Sequence, residues 1–176
     1  MLFRSAHNWA AGGSGRGTTT NSDQGGTAPG AASLVRVPCA DIKFMHAIGY
    51  GRNGTVFKAR WKDSYVAVKQ FDVDKFGHQD YDKEIAAYMM LKDEWGIKVP
   101  KPLFLSESFS GAVKFLGLQL GRSPTEQDDL TQWRSLVKSV QCQYGLDFQD
   151  TWKEQNSLFI TDDSGKERLV MIDLED

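Results

Sequence analysis

The sequence predicts an α+β fold: an antiparallel five-stranded sheet with one main helix, followed by a smaller, partly helical unit. Three observations carry this reading. Residues 48–72, "IGYGRNGTVFKARWKDSYVAVKQFD", set a glycine turn among strand-forming segments. Residues 80–95, "DYDKEIAAYMMLKDEW", show helical spacing of their apolar positions. Near the end, "SLFIT" and "RLVMI" flank the turn "DDSG" as a short hairpin ending at Asp173.

Residues 1–33 are expected to form a disordered leader, because the glycine-, serine- and threonine-rich run from residue 10 has almost nothing to bury. The folded part is expected to begin near Leu34, with residues 34–121 as a first lobe and 122–176 as a partial second one. After Gly54, "TVFKARW" alternates, placing Thr55, Phe57 and Ala59 on one face and Val56, Lys58 and Arg60 on the other. A dinucleotide-binding turn would open a helix at its third glycine. Strand formers follow Gly54 instead, so the loop reads as a β-hairpin flap.

In the helix, Tyr81, Ile85, Tyr88, Met89 and Lys92 share a face, Glu84 lies beside it, and Gly96 follows as a stop. "VPKPLFLSES" and "AVKFLGLQL" then read as two strands joined at Ser110-Gly111. Ser123, Pro124 and Glu126 have the arrangement of a capping box opening a second helix. Leu130, Trp133, Leu136, Val137, Val140 and Tyr144 mark its apolar face.

Composition narrows the function classes. At 176 residues, with 40% hydrophobic and 25% charged residues, the chain reads as a globular domain able to bury a core. No apolar run approaches the ~20 residues that cross a bilayer, so no membrane association is expected. The formal charge of −2 comes from 21 basic and 23 acidic residues mixed along the chain, so no nucleic-acid footprint is expected. The start "MLFRSAHNWA" lacks the apolar region of a secretory signal, which favours the cytoplasm or nucleus. Cys39 and Cys142 lie far apart without metal-ligand spacing and are expected to be reduced, buried thiols.

The order of elements is glycine hairpin, V-A-V-K strand, helix with a glutamate, two strands, a helix, an asparagine, a hairpin and an aspartate. From about residue 44 to 176, this resembles the protein kinase-like fold. The resemblance implies ATP and Mg²⁺ as cofactors. Gly49, Gly51 and Gly54 would let backbone N–H groups approach the phosphates, and Val56 would pack on the adenine. Lys69 would bridge the α- and β-phosphates, with Glu84 as its counter-charge. Asn156 and Asp173 would hold the metal through oxygen. Each feature also has a plain reading: a glycine turn in any hairpin, an exposed lysine and glutamate without contact, two capping residues.

The wording "VAVKQFD", "EIAAYMML", "VPKPLFLSES", "LGLQLGR" and "IDLED" is similar to the kinase-like C-terminal domains of Crinkler-type effectors. That resemblance implies a kinase-like domain which in some members is delivered into host cells and directed to the nucleus. No secretion or translocation motif is recognisable at this N-terminus.

Two departures shape the expectation. A kinase catalytic loop places its aspartate five residues before the asparagine, which from Asn156 gives Thr151. Asp150 is one residue early, and an insertion of one residue would restore it as the catalytic base; otherwise it is a turn residue. The chain also stops three residues after Asp173 without an activation segment, so it is expected to be C-terminally truncated. The underside of the Trp133 helix is then expected to be an exposed apolar patch.

The expected function is Mg-dependent phosphoryl transfer from ATP to a Ser/Thr hydroxyl, with Lys69 and Asp150 catalytic and a protein as substrate or binding partner. The alternative is a nucleotide-binding pseudokinase or effector module that acts through partner binding. A small-molecule phosphotransferase is a third reading, because "IDLED" after a hairpin also resembles the metal-binding end of aminoglycoside-type kinases.

Overall fold

A computed structural model of the chain describes residues 34–51, 54–76, 79–145, 153–172 and 174. The expected leader, Asp150 and Asp173 lie outside the described residues. The fold is α+β. A six-stranded sheet contains β1 (Val35–Arg36), β2 (Ile42–Gly51), β3 (Gly54–Trp61), β4 (Ser64–Asp72), β5 (Pro102–Glu107) and β6 (Val113–Gln119). Its spatial order is β1-β5-β6-β4-β3-β2.

Strands β2 to β6 form the expected antiparallel set of five. The sixth strand is an addition: Val35 and Arg36 pair parallel to β5 opposite Phe104 and Leu105. A two-residue strand is too short to leave a period-two signal in the sequence.

Residues directly opposite one another across a sheet share a face. Gly49, Val56, Lys69, Leu116 and Leu105 therefore form one row across five strands. On this face Ala67, Phe71, Leu116 and Leu118 are buried against Tyr81, Ala87 and Tyr88 of α2 (Gln79–Met90). The other face buries Ala59, Val66, Val68, Phe104 and Phe115. The Phe104 ring fills the space a side chain at Gly117 would need, 2.4 Å from its Cβ position. Each fully buried aliphatic or Phe side chain contributes about 1.5–3 kcal/mol, so both faces stabilise the sheet.

A short helix, α1 (Val73–Phe76), precedes α2. α2 ends at Met90 and continues only as a 3₁₀ turn over Lys92–Glu94, short of the expected helix to Trp95. The indole N–H of Trp95 donates to the Tyr88 carbonyl at 2.7 Å, and the Glu94 carbonyl takes the N–H groups of Ile97 and Lys98. These bonds satisfy the helix end by turning the chain.

The second sheet is β7 (Gly121–Arg122), β8 (Ser157–Thr161) and β9 (Glu167–Met171), all antiparallel. Met171 donates its N–H to the Lys98 carbonyl at 2.7 Å, joining this sheet to the loop after α2. The helix α3 (Trp133–Tyr144) turns Trp133, Val137 and Val140 into the same core as α2. The expected exposed apolar underside is therefore absent from α3, whose outer face carries Arg134, Ser135, Lys138 and Ser139. Cys142 also lies on that outer face and Cys39 is half-buried, both as free thiols, so neither is the buried thiol expected.

α3 starts at Trp133, well after the expected capping box at Ser123. Local hydrogen bonds explain the delay. The Asp128 carboxylate accepts the Thr125 N–H at 2.7 Å and its hydroxyl at 2.9 Å, and Asp129 accepts the Thr131 N–H. Such side-chain acceptors offer the backbone an alternative to helix. Gly145, at φ 66°, terminates α3 in a conformation that glycine adopts without strain.

Arg122 fixes this segment. It forms paired bonds to Asp128 (2.8 and 3.0 Å) and to Glu167 (2.7 and 2.8 Å), and lies 4.5 Å from the Phe159 ring centre. Its hydrogen bonds hold the Asp128 and Glu167 carboxyls below their usual range. A carboxylate with a lowered folded pKa adds stability that is complete above its unfolded value near pH 4 and is lost on further acidification. Solvent screens these groups, so the effect is modest. The urea midpoint is expected to fall below about pH 4, with a flatter acid limb in Arg122→Gln, readable by urea titrations across that range.

Candidate functional site

The site begins with β4. Its alternation turns Ala67, Lys69 and Phe71 to the face covered by α2, while Val66 and Val68 face the other core. A lysine buried in a strand must find an anion or lose its charge. α2 supplies Glu84, one turn after Tyr81 and one before Tyr88, in the middle of its buried face. Lys69 Nζ lies 2.5 Å from Glu84 Oε2, with both residues over 90% buried. The Phe71 ring centre is 5.2 Å from the same ammonium. The Tyr81 ring meets Phe71 at 5.3 Å in a T-shaped contact, and burial raises its phenol above the usual range.

The flap lies on this row. Gly49 pairs with Val56, and Val56 pairs with Lys69. The three glycines differ in what the fold asks of them. A Cβ at Gly54 would lie 1.8 Å from the Gln70 carbonyl oxygen, so backbone packing requires glycine there. Among the described residues a Cβ at Gly49 would meet only Val56, at 3.6 Å, and one at Gly51 only the Gly54 carbonyl, at 3.7 Å. Neither has a positive φ. The described fold does not require glycine at these two positions, and their bare backbone leaves room for a close-approaching ligand.

Asn156 ends the 3₁₀ turn Glu154–Asn156 and is buried where β8 begins. Its carbonyl accepts the Ile172 N–H at 2.9 Å, so both ends of the hairpin meet. Asp173, next in sequence, and Asp150 lie outside the described residues. Among the described residues no group of three or more His, Cys, Asp or Glu side chains could hold a metal ion.

Of the residues singled out from sequence, Gly49, Val56, Lys69 and Glu84 are brought together, with Gly51 and Gly54 closing the hairpin. Ala67 was missed. It is buried on the same face, two residues before Lys69 and opposite Leu118, and the alternation of β4 was the signal for it. Two open grooves occur elsewhere and do not include Lys69. One, of about 650 Å³, is lined by Gln132, Leu136, Phe159 and Leu169, and the other, of about 410 Å³, by Trp95, Lys101 and Arg168.

Two stability experiments separate fold from ligand. Gly54→Ala is expected to destabilise by about 1–3 kcal/mol or more through its clash with β4, while Gly49→Ala stays within about 0.5 kcal/mol by chemical denaturation. Lys69→Met or Glu84→Leu alone is expected to cost about 3–5 kcal/mol, and the double replacement far less than their sum. No protein-family model matches this chain, and no curated protein is significantly similar to it.

Proposed function

We propose that the protein binds Mg-ATP beneath the β2–β3 flap and transfers its γ-phosphoryl group to a Ser/Thr hydroxyl, as a protein kinase-like domain. The observation that carries this reading is the buried Lys69–Glu84 pair, directly beside a flap with two glycines the described fold does not require. Buried ion pairs are weak sources of net stability, so this one points to a role beyond stabilising the fold, and ligand binding supplies it.

Glu84 holds the Lys69 ammonium at a fixed point, where it would meet the α- and β-phosphates as a compact charge. The flap would bring its backbone at Gly49 and Gly51 to the phosphates. Val56, half-buried in the same row as Lys69, would offer apolar surface for the base. Asn156 and Asp173 would hold Mg²⁺, and Asp150 would orient the acceptor hydroxyl and take its proton. Bound Mg-ATP supplies the transferable phosphoryl group and the metal charge that stabilises it. The similarity to Crinkler-type domains adds a protein substrate or partner to this proposal.

The register of the catalytic loop favours a second reading, binding without transfer, since Thr151 rather than Asp150 stands five residues before Asn156. Mg-ATP binding and γ-phosphate turnover measured together on wild type, Lys69→Ala and Asp150→Asn decide between them. Binding is expected, with turnover reduced about a hundredfold or more by either substitution. Binding without turnover would make the protein a nucleotide-responsive module, and no binding would overturn the nucleotide reading.

A further inference from the structure

We propose that the outer edge of β2, which no described strand pairs, docks an extended acidic peptide segment of a partner protein with the help of the cations beside it. Charge is unevenly distributed in this region. Between Ile42 and Phe71 the cations are Lys43, Arg52, Lys58, Arg60, Lys62 and Lys69, and the sole acid is Asp63, in a chain of net charge −2. The sheet brings three of them together. Lys43 lies directly opposite Arg60, Arg60 directly opposite Tyr65, and Lys58 two residues along the same face of β3.

Like charges directly opposite one another destabilise a sheet. Among the described residues the counter-ion here is Asp63, 3.9 Å from Arg60 and fully exposed. An anionic partner would offset that repulsion.

The backbone identifies the form of the partner. β2 is the last strand of its sheet, and its outer edge pairs with no described strand. Met45, Ile48 and Tyr50 on β2 are exposed at 51%, 44% and 83%. A long edge strand with exposed apolar side chains is a template for strand addition. Pairing is regular at Ile42–Phe44, beside the cations, and irregular beyond Phe44. A strand added there would lie about two strand spacings, roughly 10 Å, from Lys58 and Arg60, a gap that their side chains and a glutamate span together.

Other occupants fit less well. A second copy would bring the same cations to the shared edge and add repulsion. Single-stranded nucleic acid stacks on successive free aromatic faces, whereas the two aromatics beside the cations are covered, Tyr65 by Lys58 at 4.6 Å and Trp61 by Lys62 at 4.4 Å, leaving Tyr50 as the largely exposed aromatic side chain on β2.

The test uses a fluorescein-labelled peptide of alternating glutamate and valine, its glutamine-valine counterpart and an oligothymidylate of equal length, titrated with the full chain. The glutamate peptide is expected to bind and to protect β2 amides from hydrogen exchange. Lys43→Glu with Arg60→Glu is expected to weaken it at least about tenfold, and Asp63→Lys to tighten it. Absence of binding, equal binding of the glutamine peptide, tighter binding of the oligothymidylate or protection confined to other strands would each overturn the proposal. Should the doubly reversed variant fail to fold, Asp63→Lys decides alone, an unchanged affinity counting against the docking surface.

Discussion

A positive charge buried in the central strands of a sheet constrains everything packed around it. Lys69 cannot leave water without an anion, and Glu84 can reach it only if α2 crosses the sheet with that residue facing inward. The pair thus fixes both the rotation of α2 and its position along β4. Tyr81 and Tyr88, one turn to either side of Glu84, fall into the core as a consequence, bringing Leu91 with them.

The same core extends into the second sheet. Trp133, Val137 and Val140 of α3 join Met171 and Leu174 in the cluster that holds α2. At the open end of the hairpin the Met171 N–H donates to the Lys98 carbonyl, which makes the link, and the Ile172 N–H donates to the Asn156 carbonyl, which closes the hairpin. The ion pair and Asn156 are therefore carried on elements that share one packed interior. Interiors packed at crystal-like density transmit small displacements rather than absorbing them.

Much of this was legible in the sequence because the relevant signals are periodic. Alternation in "SYVAVKQF" puts Ala67, Lys69 and Phe71 on one side, and helical spacing aligns Glu84 with Tyr81 and Tyr88. The misses have local causes. β1 is too short to show a period, and the capping-box pattern at Ser123 lost to the Asp128 and Asp129 acceptors, which hold the backbone in turns. The different roles of Gly49 and Gly54 were not legible at all. Both read as turn glycines, and only the approach of the Gln70 carbonyl distinguishes them.

The proposed nucleotide site is the flap row, not either groove. The flap row offers a fixed ammonium and bare backbone, whereas the groove of about 650 Å³ between α3 and the β8–β9 hairpin is lined by no buried cation. Amide NMR during a Mg-ATP titration tests this choice most directly. The account predicts shifts concentrated at Gly49, Gly51, Val56 and Lys69, larger with Mg-ATP than with AMP. Shifts centred on Leu136 and Phe159, or none on the flap row, would contradict it.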